Sequence, residues 1–365
     1  MIWGKEMQSD NNVDIFFLGD TYFGEWHMRL RGRKGQSNIL QEKGYLHFGK
    51  NFEHILSDAD EVLMNLECSI TDIEPSPLQG TEKKHLYSAR EEGTISAFKR
   101  LNITTCMLAN NHAVDYGKAG LMDTITALEK AGIKYIGGGR NEQEAAAPLI
   151  FEKKLGDKYF RAAIVSSYNY GKASDSYGFY ADGDIPGVNK KDLHKVQAQI
   201  KKLKSIDEDL MYILSPHWGP NYVWRTFTQQ QQGEEFIRAG TDLIVGHSAH
   251  MIQEIEYYKD KLIMYSIGNF LINGNGEYKR RKLPPYSFIA RLNIQNIDDE
   301  LVRKMIVYPI MVDNMATDFT PRFTNEKEFG HVKDILRSHD ISTDVFDSLV
   351  TIGEDEYGHY FEYKV

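Results

Sequence analysis

Short apolar runs that each stop at a polar turn recur along most of the chain, and they alternate with segments of helical spacing. Residues 13–19 (VDIFFLG) are rich in strand formers and stop at Asp20. Residues 60–67 read as the end of a helix and then a strand that terminates on Glu67, and residues 103–108 as a strand that runs into Ala109-Asn110-Asn111-His112. Residues 120–131 (GLMDTITALEKA) have helical spacing, and residues 132–137 are the next strand with its stop. Residues 160–166, 211–214, 243–245 and 262–266 predict further strands, with helices over 190–203 and 229–239 between them. Strands alternating with helices imply parallel pairing and right-handed crossovers, which bring successive strand ends to one edge. Residues 287–292 and 301–312 predict strands with no helix between them, hence a second, mainly antiparallel sheet. The expected organisation is one α/β domain over 13–312 and a C-terminal extension over 313–365 that packs on it.

Composition narrows the class. With 365 residues and 41% hydrophobic content, the chain can bury a large core. A net charge of -9 argues against a nucleic-acid partner, which needs clustered Lys and Arg. The two cysteines, Cys68 and Cys106, sit in apolar, strand-like runs that predict free, buried thiols and a reducing compartment. Residues 1–12 lack the basic start and apolar stretch of a signal peptide, and no apolar run has membrane length, so a cytoplasmic location is expected.

Chemistry concentrates where the strands stop. Asp20, Glu67, Asn111, His112, His217, His247 and His250 are metal-ligand or acid-base types, and nearly every one follows a predicted strand. Any single polar residue there is explained by an ordinary turn. Their recurrence predicts that six segments, centred on Asp20, Glu67, Asn111-His112, His217, His250 and Asn269, converge in one polar cleft, because open α/β sheets bind ligands at that edge. Other signals carry less. Gly137-Gly138-Gly139-Arg140 lacks the Lys-Ser/Thr ending of a phosphate loop and reads as a turn. The basic stretches at 27–35 and 279–282 read as solvated surface, and His331, His339 and His359 as structural or exposed.

The segments FLGD, NLE, LANNHAVDYGKAGLMDTITALEKAGIKYIGGG, HWGPNY, AGTDLIVGHSAHMIQ and YSIGNF, in that order, resemble the CapA family of bacterial poly-gamma-glutamate capsule synthesis proteins, related to the calcineurin-like metallophosphoesterases. The resemblance implies a four-layer α-β-β-α sandwich with its site at the strand ends. It implies metal ligation by Asp20, Glu67, Asn111, His217 and His250, catalytic roles for Asp20, Asn111, His112 and His250, and substrate contacts from Trp218, Asn221, His247 and Asn269. The ion would be Mn, Fe or Zn, serving hydrolysis of an amide or phosphoester in a peptide or gamma-glutamyl substrate. Three departures open an alternative. Asp20 is followed by Thr21 and Tyr22 where metallophosphoesterases have Asp-x-His, Ser248 falls at a ligand position of the final motif, and Asn221 stands where many relatives carry Glu. With no metal, Asp20 and His250 would serve a peptide epimerase as an acid-base pair. A third reading is a non-catalytic component of a polymer synthesis or export complex.

Overall fold

The computed structural model describes residues 11–274, 277–339 and 343–365. Residues 1–10, most of the stretch read above for a leader, lie outside them. The strands that build the two large sheets are β1 (Asn12–Tyr22), β2 (Glu61–Leu66), β3 (Thr105–Met107), β4 (Lys134–Ile136), β5 (Leu149–Leu155), β6 (Lys158–Tyr168), β7 (Met211–His217), β8 (Leu243–Val245), β9 (Ile255–Tyr258), β10 (Lys261–Met264), β11 (Asn269–Ile272), β12 (Tyr286–Ile297), β13 (Glu300–Met311), β14 (Val350–Asp355) and β15 (Gly358–Lys364). The first sheet runs β14-β15-β13-β12-β1-β2-β3-β4, with β11 paired to the end of β1 and the two-residue strand Arg322–Phe323 paired to β13, and the second runs β9-β10-β8-β7-β6-β5.

Alternation along each strand explains the layering. In β1, Val13, Ile15 and Phe17 point into a cluster shared with Ala162, Ile164, Met211 and Ile213 of the second sheet. Phe16 and Leu18 point the other way, onto Phe98, Leu121, Ile125 and Leu128 of the helices Glu91–Arg100 and Gly117–Ala131. On the second sheet, Ala163, Val165, Tyr212 and Leu214 face outward onto Val196, Ile200, Phe236 and Ile237 of the helices Leu193–Lys204 and Phe227–Arg238. Strands buried on both faces read as continuous apolar runs, and the result is the expected four-layer α-β-β-α sandwich.

One expectation is corrected. The strands predicted from 287–292 and 301–312 do not make the second sheet. They form β12 and β13, and β12 pairs antiparallel with β1 from Asn12↔Gln295 to Phe17↔Ala290, so they extend the first sheet. The reason is that β1 is central and uses both of its edges, with β2 parallel on the other side. The second sheet comes from β5 to β10.

The strand predicted to stop at Asp20 continues to Tyr22, but its register is irregular on both sides of Asp20. Gly19 allows this. A Cβ there would lie 2.1 Å from the Gly268 carbonyl oxygen, so only glycine lets the Gly268–Asn269 turn come close enough for β11 to pair beyond the irregularity.

Candidate metal centre

Six segments do meet at one edge. Asp20 comes from the irregular end of β1, Glu67 follows β2, Asn111 and His112 lie in the loop after β3, His217 ends β7, and His247 and His250 lie in the loop after β8. Asn269 begins β11 beside Asp20. Asp20 and Glu67 are fully buried.

Asp20 Oδ1 accepts from Asn65 Nδ2 at 2.7 Å, and Oδ2 accepts from the Ser248 backbone N–H at 3.3 Å. His250 Nδ1 lies 3.2 Å from the same Oδ2 and 2.9 Å from Asn269 Oδ1. Burial alone would raise the Asp20 carboxyl, but the hydrogen bond and charge of His250, helped by His217 and His247, hold it well below the usual carboxylate range. His250 is raised in turn: burial works against its charged form, and Glu67, Asp20 and Asn269 overcome it.

Glu67 is the opposite case. Both of its oxygens are buried with no hydrogen-bond partner, and three imidazole nitrogens stand around Oε1: His250 Nε2 at 3.7 Å, His112 Nε2 at 3.9 Å and His217 Nε2 at 3.9 Å. These separations are too long for hydrogen bonds. Burial pushes the Glu67 carboxyl up, and the nearby Asp20 and Asp115 add to that against His250 and Lys83. Both His247 ring nitrogens are likewise buried and without a partner, with Nδ1 3.6 Å from Asp20 Oδ1.

The remaining histidines are held neutral. His217 is lowered to about 3, chiefly by burial, and His247 to about 4 for the same reason. His217 Nε2 faces Asn111 Oδ1 at 2.8 Å and Nδ1 faces the Asn65 amide at 3.3 Å, so Nε2 carries the proton and Nδ1 accepts. His112 Nδ1 meets Asp115 Oδ2 at 2.6 Å, Asp115 Oδ1 pairs with Lys83 at 3.1 Å, and Tyr87 stacks on the His112 ring at 4.2 Å. Burial lowers His112 although Asp115 opposes it.

This donor set fits a divalent cation. One ligand atom each from Asp20, Glu67 and His250 lies within 4.8 Å of the others, and the orphaned Glu67 and His247 atoms are what a carboxylate and an imidazole facing an ion look like. Mixed carboxylate and imidazole donors suit Mn, Fe or Zn.

Not every predicted site residue is brought in. Trp218 stacks on Tyr265 within the layer between the second sheet and its helices, donating from Nε1 to the Tyr265 carbonyl at 2.8 Å, so it is a core residue behind the site. Asn221 is exposed in the following loop. Tyr22, at the position of the absent ligand histidine, accepts from the Trp26 N–H at 2.8 Å. Ser248 turns its hydroxyl away to the Gly219 carbonyl at 3.0 Å. Arg140 is engaged by Glu129 and Glu144, in keeping with a turn. The sequence reading missed Asn65, Asn110, Asp115, Lys83 and Tyr278. For Asn65 a signal existed, a lone carboxamide inside an apolar strand. Asn110 Nδ2 donates to Asn65 Oδ1 at 3.1 Å and its Oδ1 accepts from the His112 N–H at 3.0 Å, which ties the loop after β3 to β2.

A four-layer α-β-β-α sandwich with carboxylates, imidazoles and carboxamides gathered at its strand ends defines an α/β sandwich protein with a candidate divalent-metal centre. The chain belongs to the bacterial capsule synthesis protein PGA_cap family, whose model matches residues 14–274. It is 29% identical over 266 residues to the PGA biosynthesis protein CapA of Bacillus subtilis, covering 73% of this chain and 64% of that protein. It is 30% identical over 273 residues to the capsule biosynthesis protein CapA of Bacillus anthracis, covering 73% of this chain and 61% of that one. The chain thus matches less than two thirds of the length of either relative. A probable polyglutamine synthesis accessory protein of Mycobacterium tuberculosis is 30% identical over 225 residues, 60% of this chain and 57% of that one. Among solved structures, the calcineurin-like phosphoesterase YfkN from Bacillus subtilis aligns with a TM-score of 0.44 at 11% identity, over 90% of this chain and 97% of that one. Cys68 and Cys106 are free and buried. No helix among the described residues is long and apolar enough to cross a membrane.

Proposed function

We propose that the chain is a divalent-metal-dependent hydrolase that cleaves an amide or phosphoester bond in a peptide or gamma-glutamyl substrate of capsule-type polymer metabolism. The observation that carries this reading is Glu67: a carboxylate with both oxygens buried and unpartnered, beside a second buried carboxylate, ringed by three imidazoles. Burial holds Glu67 toward its neutral form with neither oxygen hydrogen-bonded, and a divalent cation would supply the partner that lets it stand ionised beside Asp20. Asp20, Glu67 and His250 would hold it, with His217, His247 and Asn111 adjoining. Bound there, the ion would supply Lewis acidity toward a carbonyl or phosphoryl oxygen and a lowered pKa for water.

The protein's own groups divide the remaining work. His112 has Nδ1 committed to Asp115, so it exchanges protons only at Nε2, which points toward Glu67 and into the cluster. Asp115 and the stacked Tyr87 fix the ring, and Lys83 pairs with Asp115 Oδ1 at 3.1 Å. That is the arrangement of a general acid–base group with its orienting carboxylate. The alternative of proton shuttling at a substrate carbon needs Asp20 and His250 on opposite faces of that carbon, but Asp20 Oδ2 and His250 Nδ1 lie 3.2 Å apart, with no room for substrate between them.

The test is metal analysis of gently purified protein, followed by Mn2+-supported assays on gamma-glutamyl oligopeptides and phosphoesters. About one to two equivalents of ion and turnover lost in His112→Ala by roughly 10²–10⁴-fold are expected. A protein that neither carries nor takes up a divalent ion sinks the proposal. Ion uptake without turnover on either substrate class leaves a binding component of polymer synthesis instead.

A further inference from the structure

Tyr278 lies outside the residues matched by the family model, in the short helix Tyr278–Arg281, yet its side chain is buried against the cluster. Its hydroxyl is 2.7 Å from the His250 carbonyl oxygen and 2.9 Å from Asn269 Nδ2. A carbonyl only accepts, so the tyrosine must donate its proton to His250 O, and its oxygen must then accept from the Asn269 amide nitrogen. That fixes which way the Asn269 carboxamide points. Its oxygen, not its nitrogen, faces His250 Nδ1 at 2.9 Å. In the neutral imidazole the proton therefore sits on Nδ1, where Asp20 Oδ2 at 3.2 Å also accepts it, and Nε2 keeps its lone pair on the Glu67 side, 3.7 Å from Oε1.

The same hydroxyl holds His250 at a second point. His250 has φ 56, the left-handed region that a side chain with a Cβ rarely adopts, and the carbonyl that Tyr278 binds belongs to that residue. Tyr222 completes the clamp, its ring 5.5 Å from the His250 ring and edge-on to Tyr278 at 5.8 Å, under the Arg281 guanidinium at 4.8 Å.

We infer that Tyr278 is a positioning residue of the metal centre, which through Asn269 sets the His250 tautomer that presents Nε2 to the ion and, through the His250 carbonyl, pins the backbone carrying it. This rests on the metal-dependent reading above. Outer-shell partners of ligating histidines are worth about 10–100-fold in ion affinity.

The experiment compares wild type, Tyr278→Phe, Asn269→Ala and the double variant by Mn2+ titration, by the visible spectrum of the Co2+-loaded protein and by thermal melts. Tyr278→Phe keeps the ring and its contacts with Tyr222. It should melt as a folded protein, bind Mn2+ about 10–100-fold more weakly and show an altered Co2+ ligand-field spectrum. Adding it to Asn269→Ala should cost less than it does alone, because the part of its effect that runs through Asn269 is already lost; a packing defect would add in full. If Tyr278→Phe fails to fold, folded Asn269→Ala must show the weakened affinity by itself. Wild-type affinity and spectrum in either folded variant overturn the inference while leaving the metal-dependent function standing. A wild type that binds no ion overturns both.

Discussion

Glu67 and Asp20 place two carboxylates where water cannot reach them, and the protein supplies hydrogen bonds to only one of the pair. Without a cation Glu67 therefore works against folding. Glu67→Gln should raise the denaturant midpoint of chelator-treated protein, by about 1–3 kcal/mol of stability, while abolishing tight ion binding. A variant that loses stability in chelator shows that Glu67 has a protein partner instead. Lys191 poses the same problem with opposite charge. It is 9% exposed, donates to Gln232 Oε1 at 2.5 Å and lies 4.6 Å above the Trp218 ring, and among the described residues no carboxylate pairs with it. Burial lowers it from 10.5 to about 7. The unfolded chain then binds more protons than the folded one between about pH 7 and 10.5, so stability rises with pH across that window and its penalty is complete below it. Lys191→Met should flatten that rise and stabilise the protein near neutral pH by about 1–3 kcal/mol, as urea midpoints at pH 7 and pH 10 will show. An unchanged pH slope removes the argument.

Between strands, the close approach at Gly19 joins the site to the sheet. β1 and β11 meet there with no room for a Cβ, and that contact sets Asn269 beside Asp20. Gly19→Ala should destabilise the protein by about 1–3 kcal/mol through overpacking and weaken Mn2+ binding, because relief of the clash moves Asn269 and with it the His250 ring. Unaltered ion affinity in the folded variant would show that the site does not depend on this crossing. The same elements show what a sequence reader can and cannot see. Runs such as residues 13–19 and 103–108 announce their ends, since an apolar strand that meets a polar loop changes composition within a residue or two. So the strand-end residues Asp20, Glu67, His112, His217 and His250 were legible as one edge. Pairing partners were not: nothing local says that β12 adds to β1, a contact made across the whole chain. Tyr278 adjoins the basic run 279–282, which reads as solvated surface, and only long-range packing turns its hydroxyl toward His250. Trp218 erred the other way: its neighbour His217 is in the cluster, but Trp218, one residue past the end of β7, packs against Tyr265 in the layer behind it.

At the scale of the whole molecule, family similarity and folding unit do not coincide. The matched residues 14–274 stop before β12, yet β12, β13, β14, β15 and the two-residue strand Arg322–Phe323 make five of the ten strands of the first sheet. The expected boundary lies after residue 312. Beyond it, β15 pairs with β13, while Phe329, Val332 and Leu336 of the helix Glu326–His339 and Phe361 and Tyr363 of β15 are buried in the cluster between the two sheets. Five large apolar side chains at about 1.5–3 kcal/mol each match the roughly 5–15 kcal/mol total stability of an ordinary domain. Their loss would also leave the β13 edge unpaired, a template for aggregation. Removal of residues 313–365 should therefore give a chain that is insoluble or lacks a cooperative melt, even with every residue of the metal centre present. Circular dichroism melts and Mn2+ titration of the truncated and full chains decide it. A soluble 1–312 chain that melts cooperatively and binds Mn2+ as tightly as the full chain would make the C-terminal segment an appendage, and would place the source of the site's rigidity within β1 to β13 alone.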